Sequence, residues 1–356
     1  MNINPLNIGN ISLKLPIIQG GMGVGVSLSN LASAVTNAGG LGVISAAQIG
    51  FRENTFFNDP IMTNLEALKN EIKLAKSKCN NGPIGVNIMV ATKEYAKYVK
   101  SAIKAGADII ISGAGLPTTL PELTKNTSVK IAPIVSSLKA TKVILKLWDK
   151  HYKTTADMVV IEGPKAGGHL GFNKEDLKMT SDEFDESILN IIDEVKNYSK
   201  KYSKEIPVIV AGGVFDGKDI CKYLNLGASG VQMATRFVTT NECDASDEFK
   251  NAYINAKKED IVIVKSPVGM PGRAILNPFI KKTQEGRLKV DKCFNCLSVC
   301  NPKETPYCIT KALINSVNGD IDNGLIFCGE NAYKLNKITT VKELIDELTL
   351  EITNYK

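Results

Sequence analysis

Eight short apolar runs recur along the first two-thirds of the chain, and segments of helical spacing separate them. The runs are Leu15–Gly20, Gly40–Ser45, Ile84–Val90, Asp108–Ser112, Lys130–Val135, Asp157–Glu162, Pro207–Ala211 and Gly230–Ala234, most of them ending in glycine or a small polar residue. Near-continuous apolar strands alternating with helices call for a parallel sheet that is buried on both faces. Eight such units within 356 residues predict an α/β fold of the TIM (β/α)8 barrel type, with an open doubly wound sheet as the alternative. Helical spacing is clear over Asn64–Lys78, Lys93–Ala105, Ser137–His151 and Asp182–Lys201, whereas the connection after Gly115 is short.

After Phe237 this rhythm stops. Residues 239–324 read as an inserted, cysteine-containing lid or substrate segment between a barrel at 1–238 and a C-terminal return at 325–356. Within that return, Val341, Leu344, Ile345, Leu348 and Ile352 have the spacing of an amphipathic helix that covers the barrel.

Composition narrows the function classes. Hydrophobic residues make up 44% and charged residues 22%, as in ordinary globular domains. The net charge of +6 comes from scattered Lys and Arg and forms no stripe with interleaved aromatics, so a nucleic-acid partner is not expected. The mild excess suits an anionic cofactor or a phosphate-bearing small-molecule substrate. No apolar run approaches the ~20 residues of a membrane helix. Met1–Leu15 lacks a basic region followed by an apolar core, so a cytoplasmic protein with reduced cysteines is expected. The oligomeric state is not legible.

The strand ends carry the chemistry. Strand six runs into Ala166-Gly167-Gly168-His169-Leu170-Gly171, which brings a closely approachable backbone and an imidazole to one point. His151 is the only other histidine. Strand seven ends in Gly212-Gly213 and strand eight in Gln232-Met233-Ala234-Thr235, the positions at which such barrels often bind phosphate. Strand one adds Gly21-Met22-Gly23, suited to packing on a planar ring, and strand three adds Asn87, a donor and acceptor for a ring edge. Each feature also has a plain structural reading: the paired glycines as tight turns, Met22 as core filler, His169 as a satisfied strand-end histidine. Walker and Rossmann phosphate motifs are absent, which favours a mononucleotide.

In these residues the chain resembles the nitronate monooxygenase (2-nitropropane dioxygenase) family, which includes FMN-dependent enoyl-acyl-carrier-protein reductases. The likeness runs through Pro16–Met22, Leu31-Ala32, Ala38–Gly42, Gly85–Asn87, Ala166–Gly171, Ala211–Gly213 with Asp216-Gly217, and Leu226–Ala228 on to Thr235–Phe237. It implies a barrel holding non-covalent FMN, with Met22 and Asn87 at the flavin, Glu162 and Gly167 beside it, Gly213 and Gln232–Thr235 on the ribityl phosphate, and His169 facing the reactive side. The family commonly has glutamine at the position of Glu162 and glycine at that of Ala234, so an added charge and a narrowed phosphate loop are expected. The first activity implied is oxidation of nitronates to carbonyl compounds and nitrite. The alternative is NAD(P)H-dependent reduction of an enoyl thioester, and a further one is a non-catalytic flavin-binding relay or regulatory protein.

Outside the resemblance lies Cys293-x2-Cys296-x3-Cys300-x7-Cys308, whose spacing suits an iron–sulfur cluster or zinc, or else four reduced thiols in a loop. Cys79, Cys221, Cys243 and Cys328 are isolated and read as packing residues. The turn-rich segment Lys265–Arg273 is either a lid loop that meets the substrate or a plain connection.

Overall fold

A computed structural model of the chain describes residues 1–355. The eight expected runs form one parallel sheet: β1 (Ile17–Gln19), β2 (Gly42–Ser45), β3 (Ile84–Asn87), β4 (Ile109–Ser112), β5 (Lys130–Val135), β6 (Val159–Glu162), β7 (Val208–Ala211) and β8 (Gly230–Met233). Hydrogen-bonded neighbours follow the order β1-β8-β7-β6-β5-β4-β3-β2. The ring closes between β1 and β2, where Leu41 N–H donates to Ile17 O at 3.0 Å and Gln19 N–H donates to Leu41 O at 2.9 Å. That seam is short in backbone pairs. The fully buried Gln19 side chain extends it, since its Oε1 accepts the Val43 N–H at 3.0 Å. The fold is therefore the closed barrel and not the open sheet.

Helices α1 (Ser29–Asn37), α2 (Pro60–Lys78), α3 (Tyr95–Ala105), α4 (Leu120–Leu123), α5 (Leu138–Tyr152), α6 (Ser181–Tyr202), α7 (Gly217–Asn225) and α8 (Thr235–Val238) follow the strands in turn. Strand parity sorts the core into two layers. Ile18, Val43, Ile109, Ile111, Ala132, Val160, Ile209 and Ala211 fill the barrel, and the N-terminal hairpin closes its lower end with Leu6, Ile8 and Leu13. Ile17, Ile44, Val86, Ile110, Ile161, Val210 and Val231 face the helices. The expected return helix is α12 (Val341–Thr353), and Val341, Leu344, Ile345, Leu348 and Ile352 are all buried.

Residues 239–324, irregular in the sequence reading, hold α9 (Asp247–Asn255), a hairpin of β9 (Ile261–Lys265) and β10 (Pro271–Ile275), α10 (Pro278–Glu285) and α11 (Ile309–Val317). The hairpin does not stand alone. β10 pairs antiparallel with Gly168-His169, Gly272 opposite His169 and Arg273 opposite Gly168. The cysteine stretch lies across the loop after β3: Lys93 N–H donates to Cys296 O at 3.1 Å, Ser298 N–H to Ala91 O at 2.9 Å, and Phe294 stacks on Phe56.

The expected metal centre at Cys293, Cys296, Cys300 and Cys308 is not formed. Among the described residues no three or more His, Cys, Asp or Glu side chains are gathered as a metal ion requires. Cys293 is exposed, and its sulfur accepts the Asn295 N–H at 3.4 Å. Cys296 and Cys300 pack against an apolar cluster that includes Leu297 and Ile309, while Cys308 sits at the N-cap of α11. Burial pushes the Cys296 thiol up to about 11 and raises Cys308 too. Zinc and an iron–sulfur cluster are thus unsupported.

Replacing Gln19 with Leu should leave the buried Val43 N–H without a partner at the seam. Urea unfolding should show a loss of about 1–3 kcal/mol; an unchanged midpoint would mean that the side chain does not help close the barrel.

Candidate active site

Parity brings polar side chains, Asn87, Glu162 and Gln232 among them, to the mouth of a barrel whose lower layers are apolar. Ala211 lies in register with Glu162 on one side and Gln232 on the other, and Asn87 lies in register with Ile111. Because Ala211 and Ile111 point inward, so do Glu162, Gln232 and Asn87. The loops beyond these strand ends complete a cleft. Gly21, Met22, Gly23, Asn87, Glu162, Gly167, Gly168, His169, Gly212, Gly213, Gln232, Met233, Ala234 and Thr235, all singled out from the sequence, line that one cleft. His151 does not. It is exposed at the end of α5 with its ring against Tyr152.

Several glycines are demanded by packing as well as by the opening. Gly212 and Gly213 have φ of +92° and +91°, a region that favours glycine. A Cβ on Gly212 would stand 2.8 Å from Gly163 O, one on Gly167 2.5 Å from the Cys328 carbonyl carbon, and one on Gly21 2.4 Å from Asn87 Cβ. The plain turn reading and the lining reading therefore hold together. Ala234 presents its methyl toward Gly20, where a Cβ would meet it at 3.5 Å, an ordinary contact.

The loop carrying His169 is tied down on several sides. Gly171 N–H donates to Glu162 Oε1 at 2.9 Å, and Ser136 Oγ donates to Gly171 O at 2.6 Å. Arg273, 6% exposed, donates through Nη1 to Pro164 O at 3.0 Å and to Ala166 O, and its Nη2 lies 3.4 Å from Glu330 Oε2. The His169 ring meets the edge of Phe327 at 5.0 Å, and its Nε2 is 2.7 Å from Ser266 Oγ. Tyr253 OH donates to Phe327 O. Of the two readings of Lys265–Arg273, the structure gives the one that reaches the site: the segment is the tip of the β9–β10 hairpin, seated on His169.

Sequence reasoning missed Phe327, Tyr253 and Glu330, and named Ser266 and Arg273 only as part of the Lys265–Arg273 segment, not as site residues. The one local signal was an arginine inside the apolar run Gly272-Arg273-Ala274-Ile275, a position where an unpaired charge could not be buried.

Burial sets the charge of the two central groups. Glu162 is pushed up to about 7, against an ordinary 4.5, by loss of solvation, which the Gly171 N–H and Arg273 only partly offset. His169 is pushed down to about 4 by the same loss of solvation, so its imidazole is neutral at physiological pH. The charge expected from Glu162 beside an anionic cofactor is thereby reduced, since a protonated carboxyl offers a donor and an acceptor as glutamine does.

These shifts have opposite signs in stability. With its folded pKa raised, Glu162 contributes fully below its unfolded value of 4.5, and that contribution is lost as pH rises through about 7. With its folded pKa lowered, neutral His169 contributes above 6.5, and that contribution is lost as pH falls through about 4. Between about pH 5 and pH 6.5 the two contributions largely offset one another, so the Glu162 part is read as a difference: in the cofactor-free protein the melting temperature of Glu162→Gln relative to the native protein should rise from about pH 5 to about pH 8. Parallel profiles for the two proteins would place Glu162 in water.

The family profile for nitronate monooxygenase matches residues 4–351. A "probable nitronate monooxygenase" of Staphylococcus saprophyticus is 28% identical over 80% of this chain and 82% of its own. A Mycobacterium tuberculosis dehydrogenase of a methyl-oxo-octahydroindene-carboxyl-CoA is 25% identical, covering 96% and 94%. Among solved structures, FabK from Thermotoga maritima superposes with a TM-score of 0.72 at 28% identity, over 96% of this chain and 93% of that one. A nitroalkane oxidase from Streptomyces ansochromogenes shares the fold, with a TM-score of 0.70 at 18% identity. Matched along nearly its whole length, and with its marked residues gathered at the open end of one barrel, the chain belongs to the nitronate monooxygenase family of oxidoreductases.

Proposed function

We propose that the cleft holds FMN non-covalently and that the protein oxidises small nitronates to carbonyl compounds and nitrite. The convergence of all fourteen sequence-marked residues on one cleft carries this reading. The lining fits a flavin mononucleotide. The stretch Gly20–Gly23 leaves a wall almost free of side chains for a planar ring, with Met22 alongside it. Asn87, Glu162 and Gln232 supply hydrogen-bonding groups at the barrel mouth, where the layers below are apolar. Gly212-Gly213 and Ala234-Thr235, at the ends of β7 and β8, would hold the phosphate, with the Lys165 side chain packed beside Gly213.

When bound, FMN supplies the electron acceptor. The chain's own residues do the rest. His169, neutral and held against Phe327, faces the substrate position and hydrogen-bonds the nitronate oxygens. Phe327, Leu325, Leu313 and Met89 form apolar surface that excludes water from that position. Arg273 fixes the loop after β6, so that Gly167 and His169 keep their places relative to the cofactor. The residues 239–324 act as the lid over this site.

The extent of that apolar surface favours a second reading. Val24, Val26, Phe249, Tyr253, Leu313 and Leu325 continue the lining beyond what a small nitronate would touch. An acyl chain could lie along them, which is the requirement of an enoyl thioester reductase using NAD(P)H.

Anaerobic mixing of the FMN-loaded protein with ethyl nitronate, NADH and NADPH in turn separates the two. Nitronate is expected to bleach the flavin absorbance, and His169→Ala should slow that bleaching about 100-fold. Bleaching by a pyridine nucleotide and not by nitronate would overturn nitronate oxidation in favour of the reductase. A protein that takes up no FMN would overturn both.

A further inference from the structure

The β9–β10 hairpin sends one polar side chain into the site, and its surroundings determine how it bonds. Ser266 is 7% exposed, and its Oγ has two neighbours, His169 Nε2 at 2.7 Å and the Val268 N–H at 3.3 Å. A hydroxyl has one proton to give and two lone pairs to receive. The Val268 N–H takes one lone pair. Were His169 Nε2–H to take the other, the Ser266 proton would be left without an acceptor in a buried place, which is unfavourable. Donation from Ser266 to Nε2 leaves neither the hydroxyl nor Nε2 without a partner.

We propose that Ser266 is a positioning residue that donates to Nε2 and so holds His169 as the Nδ1–H tautomer, making the imidazole a hydrogen-bond donor, and not a base, toward the substrate. Among the described residues Nδ1 has no partner, so its N–H is available to the cleft that His169 lines. The edge contact with Phe327 keeps the ring from turning over to exchange its two nitrogens. Among the described residues no carboxylate stabilises the doubly protonated form of His169, and burial keeps it neutral.

A chemical consequence follows that rests on the nitronate reading. A donor N–H stabilises a substrate that arrives already as the anion. It cannot take the α-proton of a neutral nitroalkane, because the nitrogen facing the substrate already carries hydrogen. The enzyme should therefore select nitronates over their parent nitroalkanes, and loss of Ser266 should weaken that selection by freeing the ring to adopt the other tautomer.

The tautomer can be read directly, because the chain has only two histidines. In protein labelled with 15N-histidine, two-bond 1H–15N correlation at about pH 7.5 distinguishes pyrrole-type from pyridine-type nitrogen, and a His151→Gln variant assigns the remaining signal. The expected result for His169 is a pyridine-type Nε2 and a pyrrole-type Nδ1 in the native protein and in Ser266→Thr, with a mixed or reversed pattern in Ser266→Ala. A pyrrole-type Nε2 in the native protein, or no change in Ser266→Ala, would overturn the proposal. The native spectrum decides even if Ser266→Ala fails to fold. This readout needs neither turnover nor FMN, so it stands or falls separately from the nitronate reading. As a kinetic arm, the ratio of kcat/KM for ethyl nitronate to that for nitroethane should drop about 10-fold in Ser266→Ala, and a larger or unchanged ratio counts against the donor role.

Discussion

Closure of the parallel sheet is the constraint on which the rest depends. A β-strand turns successive side chains to opposite faces, so once the eight strands form a ring every second residue must enter it. Over most of the length these are Ile, Val, Leu and Ala, and the interior is a packed core. At the mouth the same parity delivers Asn87, Glu162 and Gln232, which in an open sheet would have no common centre. The seam between β1 and β2 is where closure has least backbone bonding, and there a side-chain amide, that of Gln19, completes it. Gln19 immediately precedes the glycines that face the cleft, so the same short segment closes the ring and opens the site.

The segment after the eighth strand turns an open barrel mouth into a chemical environment. Its hairpin adds a strand to Gly168-His169, places Arg273 under the loop after β6 and seats Ser266 on the imidazole. Burial in the cleft shifts Glu162 upward and His169 downward, so that both groups tend toward their neutral forms. For the anionic cofactor and substrate of the proposed function, the first shift lowers repulsion, while the second leaves His169 to act by hydrogen bonding and not by charge. With its pKa at about 7 the Glu162 carboxyl keeps only part of its charge at neutral pH, and the histidine becomes a neutral hydrogen-bonding group.

Much of this was legible in the chain. The eight strands, the return helix and the cleft residues from Gly21 to Thr235 could be read because the signals are local. Apolar runs end in glycine, and strand ends in a barrel share one face whatever the remainder does. How much charge Glu162 carries was not legible, because a pKa depends on solvation, which the sequence does not show. The metal expected at Cys293, Cys296, Cys300 and Cys308 followed from spacing alone. Backbone pairing to the loop after β3 and packing against Leu297 and Ile309 hold that stretch without gathering a metal-binding group among the described residues.

By itself, then, the sequence determined the barrel, the end of it that carries chemistry, and the side chains that gather there, since periodicity and glycine placement act over a few residues. The tertiary structure alone decided which partners those side chains meet. Ser266 and Arg273 stand about a hundred positions beyond His169 and the loop they hold, and Phe327 and Glu330 come later still. Only chain return and antiparallel pairing bring them in, and no local pattern records which distant residue will occupy a buried place. The protonation of Glu162 and of His169 belongs to the same class, because it depends on how completely water is excluded once all these segments have closed.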